Sequence, residues 1–173
     1  MTENEARKLL EDTKAVDHEA YTFCLLALTT GGRVETILAL REFDCDFVNR
    51  TVNLKDFKNN STYKAFLTHE AIAAIKYQLK MQKAIFNCST PTMHRRVSIH
   101  LEQFNKKVKA DDRKNKVVLH TLRHTFASHL AIKGTPIFTI QKLMNHADIK
   151  MTMRYAKLAP DTGREFVEKL FNN

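Results

Sequence analysis

The stretch LHTLRHTFASHL, residues 119 to 130, crowds His120, Arg123 and His124 into little more than one helical turn. Positive groups packed so closely repel one another unless something negative sits opposite. Thr121 reads as the cap of a helix that carries Leu122, Phe126 and Leu130 at core-facing spacing, with His120 just before its first turn and Arg123 within it. A helix start has unpaired backbone N–H groups, and an imidazole and a guanidinium beside them make an anion site. His120 and His124 also stand four residues apart, as a metal pair does. No glutamate completes an H-E-x-x-H pattern and no other ligand cluster is evident, so no metal is expected and His124 reads as a hydrogen-bonded structural histidine.

The charge balance says which anion to look for. The 173-residue chain carries a net +9, but its first twenty residues hold six acids against three bases. Residues 21 to 173 therefore hold 25 basic and 13 acidic side chains, a net +12. That asymmetry points to a polyanion, with nucleic acid first, against the plainer reading of a basic, well-solvated surface. Cys24, Cys45 and Cys88 are odd in number, widely spaced and without a C-x-x-C, which argues against a disulfide framework and a zinc cluster. No run approaches the roughly 18 apolar residues that a membrane span needs, and the amino terminus is charged where a signal peptide is apolar. A cytoplasmic chain is expected.

The elements that must position these groups follow from periodicity. Thr2 and Glu5 form a capping box ahead of Ala6, Leu9 and Leu10. A second helix starts near Asp17 and stops at Gly31–Gly32, and a third follows at RVETILALRE, so Arg33 is anchored just after a sharp glycine bend. The period then changes to two. Phe43, Cys45 and Phe47, then Val52 and Leu54, then Tyr63, Ala65 and Leu67 predict three antiparallel strands, with turns at Asn49–Arg50 and at Asn59–Asn60, the latter displaying Lys58. Thr68 caps a helix buried through Ile72, Ile75 and Leu79. Residues 87–96 read as a loop, with helical spacing from Val97 through Leu101, Phe104 and Val108, and the basic run from Lys106 reads equally as a solvated face or as a contact to a nucleic-acid backbone. Thr135–Pro136 opens a short helix, Asp148 opens another through IKMTMRYAKL, and GREFVEKLF closes the chain amphipathically. The expected class is α+β, mainly helical, with a small three-stranded antiparallel sheet, in a single domain over residues 1–173.

Two stretches, HTLRHTFASHLAIKGTP and LMNHADIKMTMRYAKL, resemble the carboxy-terminal half of the tyrosine recombinases, the phage-integrase and Xer-like enzymes. TTGGRVETILAL resembles their upstream arginine box, and KDFKNNSTYKAFL their sheet with its lysine-bearing turn. The likeness runs from about Thr29 to Leu158 in the family's order, and it implies the helical catalytic domain of that family without its amino-terminal core-binding domain.

The resemblance implies a reaction and a part for each residue. Tyr155 attacks a DNA phosphodiester to give a 3′-phosphotyrosyl link, Arg33 and Arg123 clamp the non-bridging oxygens, and His146 adds a hydrogen bond to them. His120 assists proton transfer from the tyrosine and Lys58 protonates the departing 5′ oxygen. Lys55 and Lys64 compete with Lys58 for that place. Tyrosine, with a pKa near 10, is phenolate to only about one part in a thousand at pH 7, a deficit of roughly 4 kcal/mol that a neighbouring base and positive charge reduce. Arginine's planar fork grips two phosphate oxygens at once, and one such group is worth about 10³ to 10⁵ in rate for phosphoryl transfer. Double-stranded DNA is the implied partner, with Arg95, Arg96, Lys106 and Lys107 on its backbone. Neither cofactor nor metal is implied, since the covalent link keeps the energy of the broken bond.

Two positions depart from the family's pattern. The acid expected three residues after the first arginine is replaced by Thr36, with Glu35 one step earlier, which leaves open what holds Arg33; Glu35 and an amino-terminal carboxylate are both available. Asn145 replaces the glycine before the second-box histidine, and asparagine tolerates the left-handed backbone better than most residues. The rival readings are a non-catalytic DNA-binding module of the same fold and a type IB topoisomerase. The last helix, through Phe166, Leu170 and Phe171, is expected to dock on a neighbouring copy on DNA.

Overall fold

A computed structural model describes residues 1–58, 60–161 and 163–168. The chain divides into two compact units, residues 1–126 and 127–173.

In the first unit, α1 (Glu3–Val16) starts at the expected capping box, with Thr2 accepting from Glu5 N–H and Glu5 from Thr2 N–H. α2 (His18–Thr30) is capped by Asp17 and ends where Gly31 turns left-handed, φ 66°. α3 (Val34–Leu38) is shorter than RVETILALRE suggests. α2 is buried nearly all round, from Ala20 to Ala27, because α1, α4 and α5 pack on it. Each of its large apolar side chains, such as Phe23 and Leu26, stabilises the fold by about 1.5–3 kcal/mol.

The three-stranded antiparallel sheet is present in the order β1 (Cys45–Asp46), β2 (Thr51–Asp56), β3 (Ser61–Phe66). Val52, Leu54 and Asp56 form the buried face of β2. β1 is cut to two residues, and Phe43, expected inside it, is 85% exposed in a 3-10 turn over Glu42–Asp44. The Asp44 carboxylate accepts the Arg41 N–H at 2.9 Å and closes that turn, so a local cap outweighs the alternation.

α4 (His69–Gln82) is capped by Thr68 as expected. Residues 87–96 depart from expectation, because α5 (Thr90–Asn105) begins inside them. Ser89 caps that helix, Pro91 sits in its first turn where its missing N–H costs nothing, and Met93 is fully buried. α6 (Leu119–Ile132) begins two residues before Thr121, whose hydroxyl accepts the Val118 N–H at 2.9 Å. His120 thus lies inside the first turn rather than ahead of it.

In the second unit, α6 ends in a left-handed Gly134, φ 78°, with Gly134 N–H on Ala131 C=O and Thr135 N–H on Leu130 C=O. α7 (Ile137–Leu143) follows, then α8 (Lys150–Met153), a 3-10 turn over Ala156–Leu158 and α9 (Gly163–Glu168). The helix expected through IKMTMRYAKL is therefore interrupted at Tyr155. The side chain of Phe166, and Leu170 and Phe171, lie outside the described residues, and with them the expected docking face.

Candidate active site

Arg33 is delivered by the glycine bend. Gly31 takes the left-handed turn, and at Gly32 a Cβ would stand 2.8 Å from the Ile37 side chain, so the chain reverses there only without a side chain. Arg33 comes next, at the cap position of α3, and its guanidinium pairs with Asp56. Glu35 is exposed on α3, so the carboxylate that holds Arg33 comes from a strand.

Asp56 does more than pair. Its side chain is fully buried, and its other oxygen accepts the Lys58 backbone N–H at 3.1 Å. One carboxylate therefore fixes both the first arginine and the turn carrying the lysine. Sequence reasoning missed it; the signal was the alternation Val52, Leu54, Asp56, which puts an ionisable group on a buried face and demands a cation beside it.

Arg33, Asp56 and Lys58 line a cavity of about 230 Å³ together with Glu35, His94 and His120. Three cationic or proton-handling groups from separate stretches thus converge, with His94 of α5 as a member that the sequence did not single out. Lys55 lies 5.4 Å above the Phe57 ring and Lys64 is exposed on β3; neither lines this cavity. The His120 and His124 rings meet edge to face, 4.6 Å between centroids.

Arg123 is only 3% exposed, and its guanidinium donates to the Gly31 carbonyl. The bend that presents Arg33 thus also anchors Arg123, and buried guanidinium charge gathers around one backbone turn. Low local dielectric makes such charge a stronger anion trap than the same groups in water.

The second unit carries the other two assigned residues. Asn145 is left-handed, φ 48°, and closes α7 as glycine closes α6, with Asn145 N–H on Lys142 C=O and His146 N–H on Gln141 C=O. His146 follows directly, and its Nδ1 hydrogen-bonds the buried Thr152 hydroxyl at 2.9 Å, which fixes the ring. Tyr155 is 4% exposed where α8 gives way to the 3-10 turn, with Arg154 5.8 Å from its ring centre. Met151 and Leu158, which stand four residues before and three after it, are 43% and 39% exposed, so Tyr155 is buried without them.

The four residues expected on a nucleic-acid backbone differ. Arg95, Lys106 and Lys107 are exposed. Arg96 instead forms ion pairs with Asp17 and Glu19. Burial alone would raise the Asp17 carboxyl, but hydrogen bonds from Arg96 and the Ala20 N–H outweigh it and hold it below the usual carboxylate range. The three thiols are unpaired, and burial pushes Cys45 up to about 11 and the other two above their ordinary value, so all are poor nucleophiles. Among the described residues no three His, Cys, Asp or Glu side chains gather as a metal site, and no helix is long and apolar enough to cross a membrane.

Comparison with known proteins bears on the family and the fold. The model of the phage integrase family matches residues 1–161. Tyrosine recombinase XerA of Saccharolobus solfataricus is 33% identical over 139 residues, 79% of this chain and 45% of that protein, so the chain spans about half the length of this relative. The catalytic domain of bacteriophage HP1 integrase has the same fold, with a TM-score of 0.75 at 22% identity over 99% of this chain and 94% of that one. The Tn1549 transposon integrase, solved in complex with transposon right end DNA, gives 0.77 at 19% identity over 98% of this chain and 65% of that one. The chain belongs to the phage integrase family, is similar in sequence to a tyrosine recombinase and has the fold of an integrase catalytic domain.

Proposed function

We propose that this domain cleaves and rejoins DNA strands at specific sites through a covalent 3′-phosphotyrosyl intermediate. The Tyr155 oxygen attacks the scissile phosphorus, the bond to the 5′ oxygen breaks, and one phosphodiester replaces another, so no external energy source is required. His120 takes the phenolic proton and Lys58 supplies one to the leaving oxygen. Arg33, Arg123 and His146 neutralise the charge that builds on the equatorial oxygens, where such groups have their largest effect.

The observation that carries this reading is the cavity in which Arg33, Lys58 and His120 meet, with Asp56 holding the first two. Its size and charge suit one backbone phosphate. Double-stranded DNA is the proposed partner, its backbone lying along Arg95, Lys106 and Lys107, while Arg96, outweighed by Asp17 and Glu19, adds no net positive charge there. A cytoplasmic location and self-association on DNA through the last helix belong to the same proposal.

The test is a nicked duplex from which the short 5′-hydroxyl fragment diffuses away after cleavage, so that the covalent product accumulates. A band retarded on a denaturing gel, present with wild type and absent with Tyr155→Phe, is expected. An adduct that persists in Tyr155→Phe overturns the assignment of the nucleophile, and no adduct with wild type overturns the reaction.

A further inference from the structure

Tyr63 stands on β3 opposite Leu54, one step diagonally from Asp56 on the same sheet face. Its hydroxyl oxygen is buried and, among the described residues, makes no hydrogen bond. It is nevertheless surrounded by charge, because Arg123, Arg33 and Asp56 all act on it electrostatically. The Arg123 guanidinium stands close enough to lower the phenol both by its charge and as a donor, yet short of the geometry of a formed hydrogen bond, and it also donates to the Gly31 carbonyl.

A buried hydroxyl with no partner destabilises a fold, and phenylalanine would fill the same place on β3 without that cost. The hydroxyl therefore has its use in a state other than the free protein. Burial raises this phenol above its ordinary value, against the opposing pull of the Arg123 and Arg33 charges. It is consequently neutral at physiological pH and acts as a hydrogen-bonding group, not as an acid or base.

We infer that Tyr63 is a positioning residue for the second arginine: its hydroxyl receives a hydrogen bond from Arg123 when that guanidinium turns onto the scissile phosphate, and holds the fork there. This inference rests on the proposed cleavage reaction. No covalent step is assigned to Tyr63.

The nicked-duplex assay with Tyr63→Phe tests it, together with thermal unfolding and DNA affinity. The expected result is adduct formation slower by about 10- to 100-fold, unchanged DNA affinity, and an unfolding temperature equal to or above wild type. The pH–rate profile keeps its shape and loses only height. In Arg123→Lys, which cannot form the same fork, adding Tyr63→Phe costs little more.

A Tyr63→Phe rate equal to wild type overturns the inference and leaves the cleavage reaction standing, as does a loss fully additive with Arg123→Lys. A lowered unfolding temperature with a matching loss of DNA affinity marks a packing role and overturns it as well. Absence of adduct from wild type overturns the cleavage reaction and this inference with it.

Discussion

The fully buried carboxylate of Asp56 holds the guanidinium of Arg33 with one oxygen and the Lys58 backbone N–H with the other. Removing one member of a buried ion pair leaves the other uncompensated, a loss of about 3–5 kcal/mol, and because Arg33 keeps 20% side-chain exposure the lower end applies. Asp56→Ala is expected to lose about 3 kcal/mol in urea unfolding and at least tenfold in adduct formation, since both Arg33 and Lys58 lose their anchor. Wild-type stability in this variant would show that the pair contributes nothing.

Asn145 and His146 make a second, local prediction. Asn145 occupies the left-handed place that closes α7, with φ 48°, and that turn delivers His146 to Thr152. Asn145→Gly should retain full stability and activity, while Asn145→Val, whose branched side chain resists that conformation, should lose about 1–2 kcal/mol. Thermal unfolding of the two variants side by side checks this; equal melting temperatures contradict it.

What the sequence made legible follows a physical line. Features written in neighbouring residues were readable: the Thr2–Glu5 box, the Asp17 cap, the Gly31 stop, and the left-handed tolerance of Asn145. The resemblance supplied Arg33, Lys58 and His120 for the site, and the structure brings those three to one cavity. What stayed hidden depends on partners distant in sequence or on caps that override periodicity. Asp56 meets Arg33 across 23 positions, and Arg96 meets Asp17 across 79, so neither pair has a local signature. At Phe43 and residues 90–96 alternation and composition mislead, because the Asp44 carboxylate and the Ser89 hydroxyl impose turns that they do not express.

The Arg96 cluster predicts how stability responds to acid. Asp17 has a depressed carboxyl in the folded chain, so the unfolded chain binds its proton more readily. Its contribution is therefore complete above the unfolded value near about 3.9 and is lost as pH falls through the lower folded value. Arg96→Ala should lose about 2 kcal/mol at neutral pH and show a shallower decline below about pH 4. Unfolding free energies measured from neutral to acid pH decide it; parallel curves for the two proteins contradict the assignment.

The exposed cations predict a graded salt response. Wild-type binding to duplex DNA should weaken steeply from about 50 to 200 mM salt, and Lys106→Ala and Lys107→Ala should each reduce the slope of log affinity against log salt by about one. Arg96→Ala should change that slope less, because its charge is already met by Asp17 and Glu19. Titrations at several salt concentrations check this, and an affinity independent of salt contradicts it.

The most direct measurement is to locate the covalent bond itself. The nicked-duplex adduct, digested with trypsin and nuclease and examined by mass spectrometry, should yield the peptide spanning Tyr155 to Lys157 carrying a nucleotide through its 3′ phosphate. A nucleotide on any other peptide, or one attached through a 5′ phosphate, contradicts the account.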